Sequence, residues 1–364
     1  MFLRKLALLN FKNHPQLNLD FEGKLTCIIG NNGTGKTNLL DAVYYLCLTK
    51  SYFNSVDQQN IRFGSDFFRL QGLFENEVKQ HDVVYKLASG RKKELSVSDV
   101  PIPKLSEHIG KFPAVIISPD DSLLITGNSD ERRRFLDSTL SQVNRQYLLW
   151  VIEYNKIVAQ RNAALKRFAE AGTFNKALIE SYNQQLVPLG DAIHQARKTA
   201  ITKLIPSFNA FYRTISLERE QVSMRYVSQL NDKPFDVLLD ETMQRDALLQ
   251  RTEAGIHKDD IDFFIGENKL KKFGSQGQQK SFVIAAKFAQ YAFIKEAKGF
   301  HPLLLIDDIF DKLDNDRSQR LIEMIAGDDF GQVFLTDTDD SHIKETLSGK
   351  ENKYSVVKIN YEKR

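Results

Sequence analysis

The octet Gly30-Asn31-Asn32-Gly33-Thr34-Gly35-Lys36-Thr37 follows directly on the aliphatic run Leu25-Thr26-Cys27-Ile28-Ile29. A G-x-x-x-x-G-K-T sequence at the end of a buried strand is a phosphate-binding loop. Gly30, Gly33 and Gly35 are expected to permit backbone angles that turn successive N–H groups inward as an anion nest. A helix starting near Lys36 points its positive end at the same phosphates. Lys36 is expected to reach the β- and γ-phosphates of ATP and to serve catalysis, and Thr37 to offer its hydroxyl to Mg²⁺. Ordinary residue usage would put an accidental match in such a chain at about 1%. The strand before the loop and the amphipathic stretch Asn38-Leu39-Leu40-Asp41-Ala42-Val43-Tyr44 after it are what the motif requires.

The remaining composition excludes more than it selects. A chain of 364 residues with 42% hydrophobic content supports about two domains and a proper core. Cys27 and Cys47 are its two cysteines. Two thiols argue against a disulfide framework and fit a reducing cytoplasm, the expected location. Met1-Phe2-Leu3-Arg4-Lys5 runs straight into an alternating strand pattern without a signal-peptide core, and no run of about 18 apolar residues is present, so no membrane partner is expected. The net charge of +3 is too mild to announce nucleic-acid binding. Its distribution is more telling: residues 128–168 hold eight basic side chains (Arg132, Arg133, Arg134, Arg145, Lys156, Arg161, Lys166, Arg167) against Asp130, Glu131, Asp137 and Glu153.

Short apolar or alternating runs at 6–11, 17–21, 25–29, 70–74, 83–87 and 114–117 predict strands. From about Glu131 the period becomes helical. One stripe runs Leu136, Leu140, Val143, Tyr147, Val151, Tyr154, Val158; another runs Tyr182, Leu186, Leu189, Ile193, Ala196, Ala200, interrupted or kinked near Pro188. Strands at 262–265, 303–306 and 333–336 around a long helix over 276–297 restore an α/β pattern. The expected fold class is therefore α/β: a discontinuous domain of residues 1–118 and 251–364, with a mainly helical insertion over 119–250.

Leu303-Leu304-Leu305-Ile306-Asp307-Asp308 is an aliphatic strand ending in two carboxylates. Asp-Asp recurs at 120, 259, 328 and 339, so only the buried strand singles out this copy. A parallel strand beside the one feeding the phosphate loop would deliver Asp307 to Mg²⁺ and the catalytic Asp308 toward the attacking water. A third segment, Ser275-Gln276-Gly277-Gln278-Gln279, opens the long helix. An anion site and a plain N-cap with a turn glycine explain those letters equally well.

The order of these motifs, with Asp311-Lys312-Leu313-Asp314 following, resembles the ATP-binding-cassette class: signature motif, Walker B strand and D-loop. The resemblance implies that Ser275, Gln276, Gly277 and Gln278 act in trans, capping the γ-phosphate held by a partner in an ATP-dependent head-to-tail homodimer, with Asp314 in the D-loop. Further stretches narrow it to the RecF family of bacterial DNA repair ATPases over essentially the whole chain. These are Leu8-Leu9-Asn10-Phe11-Lys12-Asn13-His14, Ser118-Pro119-Asp120-Asp121 followed by Arg132-Arg133-Arg134-Phe135-Leu136-Asp137, and Gly255-Ile256-His257-Lys258-Asp259-Asp260. The chain departs from the family where Ile256 and Lys258, rather than Pro and Arg, flank His257. Thr336-Asp337 also stands where many cassette ATPases place a switch histidine; Asp337 is given no catalytic role, and His14 and His257 are read as structural.

Membership in that family would imply a cassette-type ATPase head with an inserted helical arm. It would also imply a slow, DNA-stimulated ATPase that dimerises on duplex DNA and single/double-strand junctions and works with RecR and RecO to aid RecA loading at replication gaps, in DNA repair, recombination and the SOS response. Arg132, Arg133, Arg134, Arg91, Lys92 and Lys93 are the candidate DNA contacts. Rival readings fit less well. In a transporter cassette the signature lies much nearer the loop than the 238 positions from Thr37 to Ser275, a nuclease-fused ATPase needs more than the 50 residues after Asp314, and an SMC-like scaffold needs a longer coiled coil.

Overall fold

The computed structural model describes residues 1–217, 220–310, 314–338, 341–346, 348 and 354–359. Two compact units emerge, Met1–Asp121 with Phe211–Arg219 and Ser275–Arg364, and Ser122–Ala210 with Glu220–Gly274.

In the first unit, six strands form a largely antiparallel sheet in the order His14–Asp20, Phe2–Phe11, Phe67–Glu75, Gln80–Ala88, Glu94–Val97, Val100–Pro101. Alternation in Phe67–Glu75 buries Phe68, Leu70, Gly72 and Phe74 and leaves the other face wetter, as a one-sided antiparallel sheet requires. A five-stranded parallel sheet has the order Tyr354–Lys358, Leu25–Ile29, Val333–Asp337, Leu303–Asp307, Ala114–Ile117. Leu25–Ile29, Val333–Asp337, Leu303–Asp307 and Ala114–Ile117 are buried at every residue, which is why they read as mainly apolar runs without a polar face. Helix Lys36–Leu48 is buried on nearly all sides, in one core cluster with Phe11, Phe68 and Tyr85 of the first sheet and Ile116, Leu305 and Phe334 of the second.

This order corrects one expectation. The strand carrying Asp307 is not beside the one feeding the phosphate loop, because Val333–Asp337 lies between them and pairs in parallel with both.

The second unit holds helices Ser129–Val143, Arg145–Ala171 and Phe235–Leu249 and most of Lys176–Ser216, with a three-stranded sheet ordered Asn268–Lys269, Asp260–Ile265, Val222–Val227. The stripe from Leu136 to Val158 is broken once, at Asn144, whose side chain caps the next helix by accepting from Tyr147 N–H at 3.1 Å. Helix Lys176–Ser216 runs through both Pro188 and Pro206, so no interruption falls at Pro188. The boundaries also differ from expectation: residues 251–274 fall in the second unit rather than with the α/β part, because Asp260–Ile265 pairs antiparallel with Val222–Val227. The strand at 222–227 was not expected, although Val222-Ser223-Met224-Arg225-Tyr226 alternates apolar and polar residues as a half-buried strand does.

Candidate nucleotide site

Loop and strand geometry put a compact polar site at the carboxyl end of the parallel sheet. Gly33 and Gly35 adopt φ of 82° and 101°, left-handed values that side chains resist. Gly30 has no positive φ; it is needed for space, since a Cβ there would lie 2.4 Å from the Ile359 carbonyl oxygen and 2.9 Å from Thr34 Oγ1. Thr34 N–H and hydroxyl both bond to the Asn31 carbonyl, at 3.3 and 2.9 Å, while Asn31 and Asn32 are exposed. The Lys36 ammonium is buried and donates to the carbonyls of Gly30 at 2.6 Å and Asn31 at 3.1 Å.

The two motifs meet at the next residue. Thr37 Oγ1 lies 2.8 and 3.0 Å from the two carboxylate oxygens of Asp307, a contact spanning 270 positions. Asp307 is 4% exposed, and burial raises its pKa against the hydrogen bonds from Thr336 and Thr37. Asp308 is exposed and sits at φ 45°, a strained value for a residue with a side chain, and its N–H donates to Thr336 Oγ1 at 3.1 Å.

Sequence reasoning missed the turn that abuts this loop. His14 Nε2 lies 3.0 Å from the Gly35 carbonyl oxygen, and Asn38 Nδ2 donates to Asn13 Oδ1 at 2.7 Å. A Cβ on Gly35 would come within 2.6 Å of both Asn13 and His14. Asn13-His14 belongs to the N-terminal stretch already singled out, but only distance reveals what it touches.

Ser275 caps helix Gln276–Lys298: its hydroxyl accepts from Gln278 N–H at 3.2 Å, and Gln278 Oε1 accepts from Ser275 N–H at 2.7 Å, a complete capping box. Ser275 and Gln276 remain exposed, and Gly277 lies under the Arg317 guanidinium. Arg317 ties this helix start to Asp314. Its Nη1 donates to Ser281 Oγ at 2.8 Å, its Nε pairs with Asp314 at 3.3 Å, and Asp314 Oδ1 caps helix Asn315–Ala326. Asp311, Lys312 and Leu313 lie outside the described residues.

The expected DNA contacts divide sharply. Arg132, 9% exposed, pairs with Asp260 at 2.5 Å and donates to the carbonyls of Leu124 and Gly127. Arg133 donates to the Asp259 carbonyl at 2.6 Å and pairs with Asp130. Both brace the second unit through these partners. Lys93 is held between the Thr49 carbonyl and Asp57, both at 2.7 Å, over the Tyr45 ring. Arg134, Arg91 and Lys92 stay exposed. His257 is structural in its bonding, with Nδ1 at 2.9 Å from Tyr154 Oη and Nε2 at 2.9 Å from the Thr252 carbonyl oxygen, and burial pulls its pKa down to about 4.

Comparison with known proteins agrees with this geometry. Residues 2–362 match the RecF/RecN/SMC N terminal domain. The chain is 43% identical to the DNA replication and repair protein RecF of Flavobacterium johnsoniae, over 99% of this chain and 100% of that protein. The chain belongs to the RecF family. Its counterpart in Bacteroides thetaiotaomicron is 41% identical over 99% of this chain and 97% of its own length. A solved structure described as the recombination mediator protein RecF-ATP in the RecFOR pathway superposes with a TM-score of 0.85 at 26% identity, covering 93% of this chain and 92% of that one. The Smc head of Pyrococcus furiosus, at 15% identity and a TM-score of 0.55 over 94% of this chain and 91% of that one, shares the fold alone. The fold is thus the ABC-type ATPase fold that RecF and Smc heads have in common. Among the described residues no helix is long and apolar enough to cross a membrane.

Proposed function

We propose that this RecF-family chain is a cytoplasmic, ATP-dependent DNA-binding protein of recombinational repair and replication-gap processing. The observation that carries the nucleotide reading is the Thr37–Asp307 contact beside a glycine-turned loop with a buried lysine. Solved RecF is described with ATP, and this chain offers the matching donors at Gly30–Thr37.

On this reading the Gly30–Thr37 backbone N–H groups and Lys36 bind the phosphate tail, Lys36 exchanging its bonds to the loop carbonyls for β- and γ-phosphate oxygens. Thr37 and Asp307 fit Mg²⁺, since a hydroxyl and a carboxylate already converge there and both are hard oxygen donors. Bound there, the ion would offset the charge of the β- and γ-phosphates. Asp308 orients the attacking water and accepts its proton, its exposed side chain standing free of the metal ligand beside it.

The Ser275–Gln278 segment contacts the nucleotide of a second copy, with Asp314 at the junction of the two, so ATP binding drives a head-to-tail homodimer and slow, DNA-stimulated hydrolysis resets it. Duplex DNA and single/double-strand junctions engage the dimer, with Arg134, Arg91 and Lys92 the exposed cations left for phosphate contacts. The RecFOR description of a relative supports RecR and RecO as partners; aid to RecA loading is the role that this reading gives the assembly.

The test is mass in solution by light scattering, with and without ATP. The parent should shift from monomer to dimer on ATP, and Ser275→Arg should bind ATP with parental affinity yet remain monomeric. Dimerisation of Ser275→Arg at parental ATP concentrations would reduce Ser275 to a helix cap.

A further inference from the structure

Thr336 is the last residue but one of the strand Val333–Asp337, which lies between the loop-feeding strand and the Asp307 strand, and its side chain is fully buried. Its hydroxyl makes two bonds of opposite sense. It donates to Asp307 Oδ1 at 2.7 Å, and it accepts from Asp308 N–H at 3.1 Å. A hydroxyl is the smallest group able to do both at once. The first bond holds Asp307 Oδ1, an oxygen that Thr37 Oγ1 also reaches at 3.0 Å, and so restrains the orientation of the carboxylate. The second anchors the backbone just where Asp308 takes its strained φ of 45°, a conformation that persists only when surrounding bonds over-determine it.

We infer that Thr336 is a positioning residue for nucleotide hydrolysis, one buried hydroxyl that sets the orientation of both the metal-binding and the water-orienting aspartate. The inference rests on the assignment of Asp307 to Mg²⁺ and of Asp308 to water. Outer-shell groups that orient ligands of a metal change affinity or activity by about 10–100-fold when removed. Thr336 acts through the carboxylate of Asp307 and the backbone of Asp308. Neither the motif order nor the alternation of the strand singles it out. The register that sets Thr336 opposite Asp307 does.

Thr336→Val keeps the shape and removes both bonds, whereas Thr336→Ser keeps the hydroxyl. Two quantities separate orientation from folding: the Mg²⁺ concentration needed for half-maximal binding of a fluorescent ATP analogue, and kcat against KM for ATP hydrolysis at saturating Mg²⁺. The expected result for Thr336→Val is a Mg²⁺ requirement raised about tenfold and a kcat lowered about 10–100-fold. Nucleotide affinity without Mg²⁺ should be unchanged, and Thr336→Ser should fall within about threefold of the parent in both. If Thr336→Val does not fold, Thr336→Ala, which cannot overpack the site, carries the same expectation against Thr336→Ser. A folded Thr336→Val or Thr336→Ala with the parental Mg²⁺ requirement and kcat would overturn the inference, as would Thr336→Ser behaving like Thr336→Val. A parent protein whose nucleotide binding ignores Mg²⁺ would instead sink the assignment of Asp307, a separate failure.

Discussion

The phosphate loop of the first unit and the arginine-rich helix Ser129–Val143 of the second both announce themselves as charge aimed at phosphate, yet the structure treats them oppositely. Lys36 is buried but, among the described residues, bonded only to main-chain carbonyls of its own loop, contacts that a phosphate oxygen can replace without leaving an anion unpaired. Arg132 is buried against a carboxylate and two carbonyls, and Arg133 is tied to Asp130 and the Asp259 carbonyl. A cation available to a ligand is one whose present partners lose little on release. Charge content alone cannot distinguish the two.

The sharpest way to break this comparison lies deeper in the second unit. Arg197, 2% exposed, pairs with Asp137 at 2.9 Å and with the 1%-exposed Asp259 at 2.7 Å, and donates to the Ile256 carbonyl. Arg197→Met would strand two acids and should cost about 3–5 kcal/mol in urea unfolding. A loss below roughly 1 kcal/mol would mean that these cations are not structural.

Histidines give a smaller effect with a definite sign. His257 in the second unit and His108 in the first are each pulled by burial from 6.5 to about 4. Their folded pKa lies below the unfolded one, so the unfolded state takes up protons first and stability falls as pH drops from about 6.5 toward about 4. The difference between the parent and His257→Gln should trace that window with an amplitude on the order of 2 kcal/mol. A difference flat over pH 4–6.5 would show that His257 titrates normally.

The smallest effect belongs to Arg134, whose side chain is 75% exposed and pairs with Glu131 at 2.9 Å. Arg134→Glu should change stability by less than about 0.5 kcal/mol. If Arg134 meets DNA, the slope of log affinity against log salt should fall by about 0.9. An unchanged slope would leave Arg91 and Lys92 as the exposed candidates.

What was legible in the sequence follows the same division. The loop, the strands Leu25–Ile29 and Ala114–Ile117 and the Asp307-Asp308 strand end could be read because burial on both faces imposes long aliphatic runs and the loop imposes glycines. The strand Val222–Val227 was passed over although its alternation was legible; what local sequence does not give is its partner, over thirty positions away. Sheet order escaped for a similar reason: nothing local tells Leu303–Asp307 that Val333–Asp337 intervenes, and so Thr336 passed as an absent histidine rather than as a contact. The bracing of Arg132 and Arg133 was not legible because their partners Asp260 and Asp259 are more than 120 positions away.

The claim that the loop cations serve ligand while the arginines of the second unit serve the fold is tested most directly by equilibrium binding of Mg²⁺-ATP to the parent and to Lys36→Ala, alongside thermal unfolding of both. The account predicts that Lys36→Ala binds at least about 100-fold more weakly, equivalent to roughly 3 kcal/mol, at a nearly parental unfolding temperature. Undiminished affinity, or a loss of affinity matched by a collapse of stability, would contradict it.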